Sequence, residues 1–153
     1  GLQEVELPFS TTGISAKAFK NSGLRSITFT NVLNVSKNAF EGCINLVNVV
    51  GLDKVEVIDK YAFSGCMELQ EINLGDSLKE IKTKAFEGCY SLTSVSVPTS
   101  VEKMGRRVFE SCDNINSISL PFIGRDRDKS KWYSLDYTID CKEASSILNY
   151  SFI

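Results

Sequence analysis

The chain reads as an α/β repeat solenoid: a parallel sheet of short strands, short helical turns between them, and a C-terminal cap. Three observations carry that reading. Ala18-Phe19, Ala39-Phe40, Ala62-Phe63, Ala85-Phe86 and Val108-Phe109 set phenylalanines 21, 23, 23 and 23 residues apart. Cys43, Cys66, Cys89 and Cys112 follow the last four of them at one offset. Between these blocks, apolar residues two apart recur once per period. A fixed period in the twenties marks a solenoid, because one unit cannot bury its own apolar face while a stack of copies forms a continuous core. On this reading residues 1–121 form about five and a half repeats of 21–23 residues, and 122–153 form a capping segment.

Each unit opens on a strand. Leu2, Val5 and Leu7 lead into Pro8, and later units repeat the set as Leu24, Ile27, Phe29; Leu46, Val49, Gly51; Leu69, Ile72, Leu74; Leu92, Val95, Val97; and Ile115, Ile118, Leu120. The last two members of each set lie two apart, the period of a strand with one buried face. Pro8, Pro98 and Pro121 close such segments, where a missing N–H and a fixed φ suit an exit turn. Stacked at roughly 4.8 Å, six units predict one sheet about 25 Å long.

A second apolar pair follows: Val32 and Val35, Val55 and Ile58, Leu78 and Ile81, Val101 and Met104, with Thr11 and Ile14 in the first unit. Its three-residue spacing suits a bend, a helical turn or a strand equally. The Ala-Phe-x-x-Cys block reads as one helical turn, with Ser36 or Asp59 able to accept N–H bonds at its start. Gly42, Gly65 and Gly88 stand where that turn must reverse. The cysteines form a ladder of small, buried, reduced thiols, since parallel stacking points them the same way and gives poor disulfide geometry. Ser22 takes their place in the first unit.

Beyond Pro121 the repeat stops. Arg125-Asp126-Arg127-Asp128-Lys129-Ser130-Lys131 is a mixed-charge stretch that reads as a solvated loop. Trp132, Tyr133, Leu135, Tyr137, Ile139, Ile147, Leu148, Tyr150 and Phe152 then supply apolar mass for a cap over the last unit. The chain opens inside a repeat, without an initiator Met or a basic-apolar signal, so Gly1 reads as an added residue and the chain as a segment of a longer protein.

Composition narrows the function. With 153 residues, 42% hydrophobic and 24% charged, the chain has material for one soluble domain. A net charge of -2 offers no positive field for nucleic acid, and no apolar run is long enough to insert in a membrane. There is no histidine, so the usual general base, the commonest metal ligand and any Ser-His or Cys-His pair are absent. No G-x-S-x-G elbow occurs. Carboxylates such as Glu4 and Glu6 sit on a flat sheet without the pocket that acid–base catalysis needs. The repeat cysteines stand singly rather than as the close pairs of a zinc site. Cys141 is out of register, and reads as a cap core residue rather than a reactive thiol. No catalytic residue, metal ligand or cofactor site is assigned.

The unit x-L-x-x-I-x-L-P-x-x-x-x-x-I-x-x-x-A-F-x-x-C resembles the BspA-like, or treponemal-type, leucine-rich repeat. Leu92-Thr93-Ser94-Val95-Ser96-Val97-Pro98 and Ala85-Phe86-Glu87-Gly88-Cys89 are similar to its two signature blocks. The likeness runs from Leu2 to about Pro121; Ser22, Val108 and Gly51 depart from it, and its I-G pair survives only as Met104-Gly105. The resemblance implies a curved, right-handed leucine-rich-repeat coil on a secreted or cell-surface protein of a bacterium or protist. It further implies adhesion to host or matrix protein or glycan, with a structural spacer in a larger surface protein as the alternative.

The strand residues between the apolar ones should face outward and form the partner-binding surface: Glu4, Glu6, Ser26, Thr28, Asn48, Val50, Glu71, Asn73, Ser94, Ser96, Ser117 and Ser119. They are small, polar and mostly neutral, and suit a broad protein or glycan partner contacted by a monomer. Lys17, Lys37, Lys60, Lys84, Arg106 and Arg107 should stack into a basic stripe, largely neutralised by Glu41, Glu87 and Glu110.

Overall fold

Alternation at one place in each repeat becomes one ladder of strands, and the second apolar pair becomes another. The computed structural model describes residues 3–122 and one further strand, Asn149–Phe152. In chain order the strands are β1 (Glu4–Glu6), β2 (Gly13–Ile14), β3 (Ser26–Thr28), β4 (Asn34–Val35), β5 (Asn48–Val50), β6 (Val57–Ile58), β7 (Glu80–Ile81), β8 (Ser94–Ser96), β9 (Lys103–Met104), β10 (Ser117–Leu120) and β11 (Asn149–Phe152). All their pairings are parallel. The second ladder runs unbroken as β2-β4-β6-β7-β9, so each coil contributes a two-residue strand there. Its inward residues Ile14, Val35, Ile58, Ile81 and Met104 are buried, and Val32, Val55, Leu78 and Val101 enter the core from the preceding turns.

The expected single sheet on the first face is instead two, β1-β3-β5 and β8-β10-β11, with a break at Glu71-Ile72-Asn73. The cause lies in the coil before. Gly51 takes φ 83°, and a 3-10 turn, Leu52–Lys54, replaces the extended exit of the strand. Leu52, 3% exposed, fills the core place that Phe29 and Val97 fill one residue past their strands. The chain thus leaves the strand direction early, and the next coil crosses it closely: a Cβ on Gly75 would stand 2.7 Å from the Leu52 carbonyl oxygen. Among the described residues the Ile72 and Asn73 amides donate no hydrogen bond, although the Ile72 side chain is buried.

The Ala-Phe-x-x-Cys blocks are tandem turns rather than the expected turns of helix. In the second coil, alternate amides bond locally and across coils. Ala39, Glu41 and Cys43 donate to Ser36, Asn38 and Phe40 within the coil, whereas Asn38, Phe40 and Gly42 donate to Lys60, Ala62 and Ser64 of the next. A helix would bond only within itself. This ribbon requires left-handed backbone twice per coil, at Lys17, Asn38, Tyr61, Lys84 and Arg107, and again at Asn21, Gly42, Gly65, Gly88 and Ser111. The expected reversal at Gly42, Gly65 and Gly88 is present, with φ of 72°, 72° and 68°.

Behind the ribbon the phenylalanines stack face on face, Phe40 on Phe63 at 5.0 Å and Phe63 on Phe86 at 5.3 Å. Phe19 and Phe109 extend the column at both ends, and Phe122 belongs to the same core. Cys43, Cys66, Cys89 and Cys112 are buried and free, as expected. Each thiol donates to the carbonyl of the phenylalanine one coil back: Cys43 to Phe19 at 2.9 Å, Cys66 to Phe40 at 3.3 Å, Cys89 to Phe63 at 3.3 Å and Cys112 to Phe86 at 3.1 Å. A small side chain with one donor is what the site needs, and Ser22 supplies it in the first coil, 3.3 Å from the Cys43 sulfur. Of the expected capping segment, Phe122 and β11 are described; β11 pairs with β10 as one more strand of the same sheet. The mixed-charge loop, Trp132 and Cys141 lie outside the described residues.

Candidate functional site

The strand face carries short side chains because every second strand residue must point to solvent. Glu4 and Glu6 of β1, Asn48 and Val50 of β5 and Ser94 and Ser96 of β8 are exposed; Ser26 and Thr28 of β3 and Ser117 and Ser119 of β10 are partly covered. Glu71 and Asn73 are exposed as well, on the coil that forms no strand. Val50 is 53% exposed, the apolar exception on this face.

The break in the sheet gathers part of this surface into a depression of about 400 Å³. Glu71, Asn73, Leu74 and Asp76 form one wall and Ser94, Ser96, Pro98 and Thr99 the other, over Ile72. Four of the expected face residues thus meet around one hollow, with two carboxylates and several hydroxyl and amide groups. Glu4, Glu6, Ser26, Thr28, Asn48, Val50, Ser117 and Ser119 lie on the flatter surface beyond it. Sequence reasoning left out Asp76 and Thr99, which follow the strand residues; the Gly75-Asp76 turn was the available signal.

On the turn face the basic stripe divides. Lys84 reaches Glu110 at 2.5 Å and Glu87 at 2.7 Å, Arg107 reaches Glu110 at 3.4 Å, and Lys20 pairs with Glu41 at 2.7 Å. Hydrogen bonds that Lys84 donates to Glu110 and Glu87 push its ammonium above the ordinary lysine range. Burial pulls the Glu87 carboxyl up, but its bonds with Lys84, Glu110 and Ser64 outweigh that and hold it below its usual value. Lys60 and Arg106 lie apart from this network, in a separate cleft.

Sequence reasoning also missed a run of exposed apolar residues one place after the cysteines: Ile44, Met67 and Tyr90, at 51%, 42% and 41% exposure. The regular spacing was the available signal. Burial pushes the thiols of Cys43, Cys66 and Cys89 up, so these cysteines are neutral, inert core groups. No group of His, Cys, Asp or Glu among the described residues is arranged to hold a metal ion. No helix among them is long and apolar enough to cross a membrane.

The repeat geometry has its counterpart in sequence: six copies of the unit described as "BspA type Leucine rich repeat region" match over residues 1–116 and 33–152. The chain belongs to the BspA-type leucine-rich-repeat family. The leucine-rich-repeat protein of T. pallidum is similar at 30% identity and a TM-score of 0.75, over 77% of this chain and 58% of that one. A leucine-rich-repeat protein of Bacteroides ovatus is similar at 25% identity and a TM-score of 0.74, over 100% and 43%. A leucine-rich cell surface protein of Faecalibacterium prausnitzii is similar at 25% identity and a TM-score of 0.54, over 76% and 38%. The chain therefore spans about half the length of the first two structures. No curated protein matches it. A BspA-type solenoid is a repeat domain of the kind that mediates protein interactions.

Proposed function

We propose that this domain is an extracellular binding module of a secreted or cell-surface protein, and that its partner is a protein, or else a glycan, held on the strand face by the monomer. Adhesion to host or matrix surfaces is the role this suits. The observation that carries the reading is the break at Glu71-Ile72-Asn73, which places a polar hollow in the middle of an otherwise regular face. A continuous sheet would present only a shallow ridge, whereas a hollow lined by Glu71 and Asp76 can receive a lysine or arginine from a partner. The stacked coils cost little ordering on binding, because the face is already rigid. The F. prausnitzii relative is a cell surface protein, which supports the compartment. Neither the family nor the site offers a catalytic constellation, and we read the module as non-enzymatic.

The test is an array of matrix proteins and glycans probed with this chain and with a variant carrying Asn48→Lys, Asn73→Lys and Ser94→Lys. Partners captured by the first and lost by the second support the reading. Equal capture by both, with the fold intact, would assign the face a spacer's role.

A further inference from the structure

A second cleft lies on the opposite ladder, at the corner where the two-residue strands enter the turns. It encloses about 390 Å³ between Lys60, Lys82, Lys103 and Arg106, with Thr83, Met104 and Gly105 forming the floor and Glu80 at one side. Lys82 is paired with Asp59, which leaves Lys60, Lys103 and Arg106 facing Glu80, in a chain whose net charge is negative.

The preceding coil shows what this corner holds. Asp59 accepts the Lys60 backbone N–H at 2.6 Å through Oδ1 and pairs with the Lys82 ammonium at 3.2 Å through Oδ2. The protein thus places a carboxylate of its own against an amide and a lysine. One and two coils on, the equivalent positions are Lys82 and Gly105, which have no carboxylate to offer. Coil-to-coil bonds from the Asp59, Lys82 and Gly105 amides to Val35, Ile58 and Ile81 establish that equivalence. The amides that follow, on Thr83 and Arg106, make no hydrogen bond among the described residues, and they stand beside the cleft with the Lys60, Lys103 and Arg106 side chains.

We propose that this cleft binds a carboxylated sugar of an acidic polysaccharide, the uronate taking the role that Asp59 plays one coil away. Amides and cations together favour a carboxylate. The volume fits one or two sugar rings, and Gly105 and the stems of Lys60 and Lys103 present hydrocarbon to a ring face. Cations repeated along the ladder match a polymer with a charge on every unit. An acidic peptide fits less well, because the amides of β6, β7 and β9 on this ladder are already committed between coils and leave few donors for an extended backbone. This site is on a different face from the hollow at Glu71–Asn73 and is independent of it.

Calorimetric titration with a linear tetragalacturonate tests it, alongside the methyl-esterified tetramer and a poly-glutamate peptide of equal charge. Saturable binding of the tetragalacturonate is expected, at least about tenfold weaker for the ester and for the double variant Lys60→Gln/Arg106→Gln, and unchanged for Lys17→Gln/Lys37→Gln. The replaced side chains are exposed, and circular dichroism checks that each variant keeps its fold. Absence of saturable binding, equal binding of the ester, equal binding by the Lys60→Gln/Arg106→Gln protein, or tighter binding of poly-glutamate overturns the proposal.

Discussion

The Cys89 thiol donates to the Phe63 carbonyl at 3.3 Å, one coil back, and this bond joins two ladders that look separate in sequence. The cysteine satisfies a carbonyl at the base of the phenylalanine column while filling a small apolar slot. Cys89→Ala removes both contributions and is expected to cost about 1–3 kcal/mol. Cys89→Ser keeps the donor, as Ser22 does at the end of the column, and should cost less. Urea midpoints of the two variants check the order.

The same ladder makes stability depend on pH at the alkaline end. Burial raises the Cys43, Cys66 and Cys89 thiols above their ordinary value of 9.0, so the folded chain keeps protons that the unfolded chain gives up. The stabilisation is complete below pH 9 and declines as pH rises further. Urea unfolding under reducing conditions should show a falling midpoint above about pH 9 in the wild type, and a shallower fall in Cys66→Ser.

Lys84 joins Glu87 and Glu110, and its replacement tests whether the turn-face ion pairs matter. All three side chains keep some contact with water, so Lys84→Met is expected to cost about 1 kcal/mol, with the loss shrinking in 1 M salt. Glu87 is held below its usual 4.5, so its contribution is present above that pH and is lost as pH falls through the lowered value. Thermal melts over a descending pH series should show the variant's deficit at pH 7 and a deficit that shrinks as the pH falls progressively below 4.5.

The glycines separate two kinds of constraint. Gly88 has φ 68°, and a Cβ there would meet only ordinary contact with Gly65 Cα at 3.8 Å. Gly88→Ala should therefore cost about 1 kcal/mol from backbone conformation, and Gly88→Asn less, as Asn21 occupies the equivalent place. Gly51 has φ 83° and would also drive a Cβ into the Phe29 carbonyl oxygen. Gly51→Ala should cost several-fold more, as compared by denaturant titration.

The repeat itself was plain in the sequence because the Phe, Cys and Leu positions recur at one offset, and burial at each follows. The shape of the turns was not. Ala-Phe-x-x-Cys has a helix-compatible spacing, and nothing in Lys17, Tyr61 or Lys84 announces a left-handed backbone; the bonds between coils impose it. The break in the sheet was half visible. Gly51 stood out where an apolar residue was due, but that Leu52 would move into its place, and so unpair the next coil, depends on packing. The strand face was legible from alternation alone, while the hollow within it follows from that displacement. The basic cleft was obscured because a stripe read from Lys60, Lys84 and Arg106 mixes a cation held by Glu87 and Glu110 with two that line the cleft.

The break at coil four also has a dynamic consequence. Ile72 and Asn73 amides should exchange with solvent far faster than those of Ile27 and Val95, despite the buried Ile72 side chain. Amide-resolved hydrogen exchange reads this directly, and comparable protection at all four would mean that the sheet is continuous.

The central claim is that the hollow beside Asn73 and Ser94 receives the partner. The direct measurement is the equilibrium affinity of the strongest partner from the array for wild type, for Ser94→Lys, and for Lys37→Gln on the far face. The account predicts at least about tenfold weaker binding for Ser94→Lys and no change for Lys37→Gln. Wild-type affinity in Ser94→Lys, with the fold retained, would contradict it.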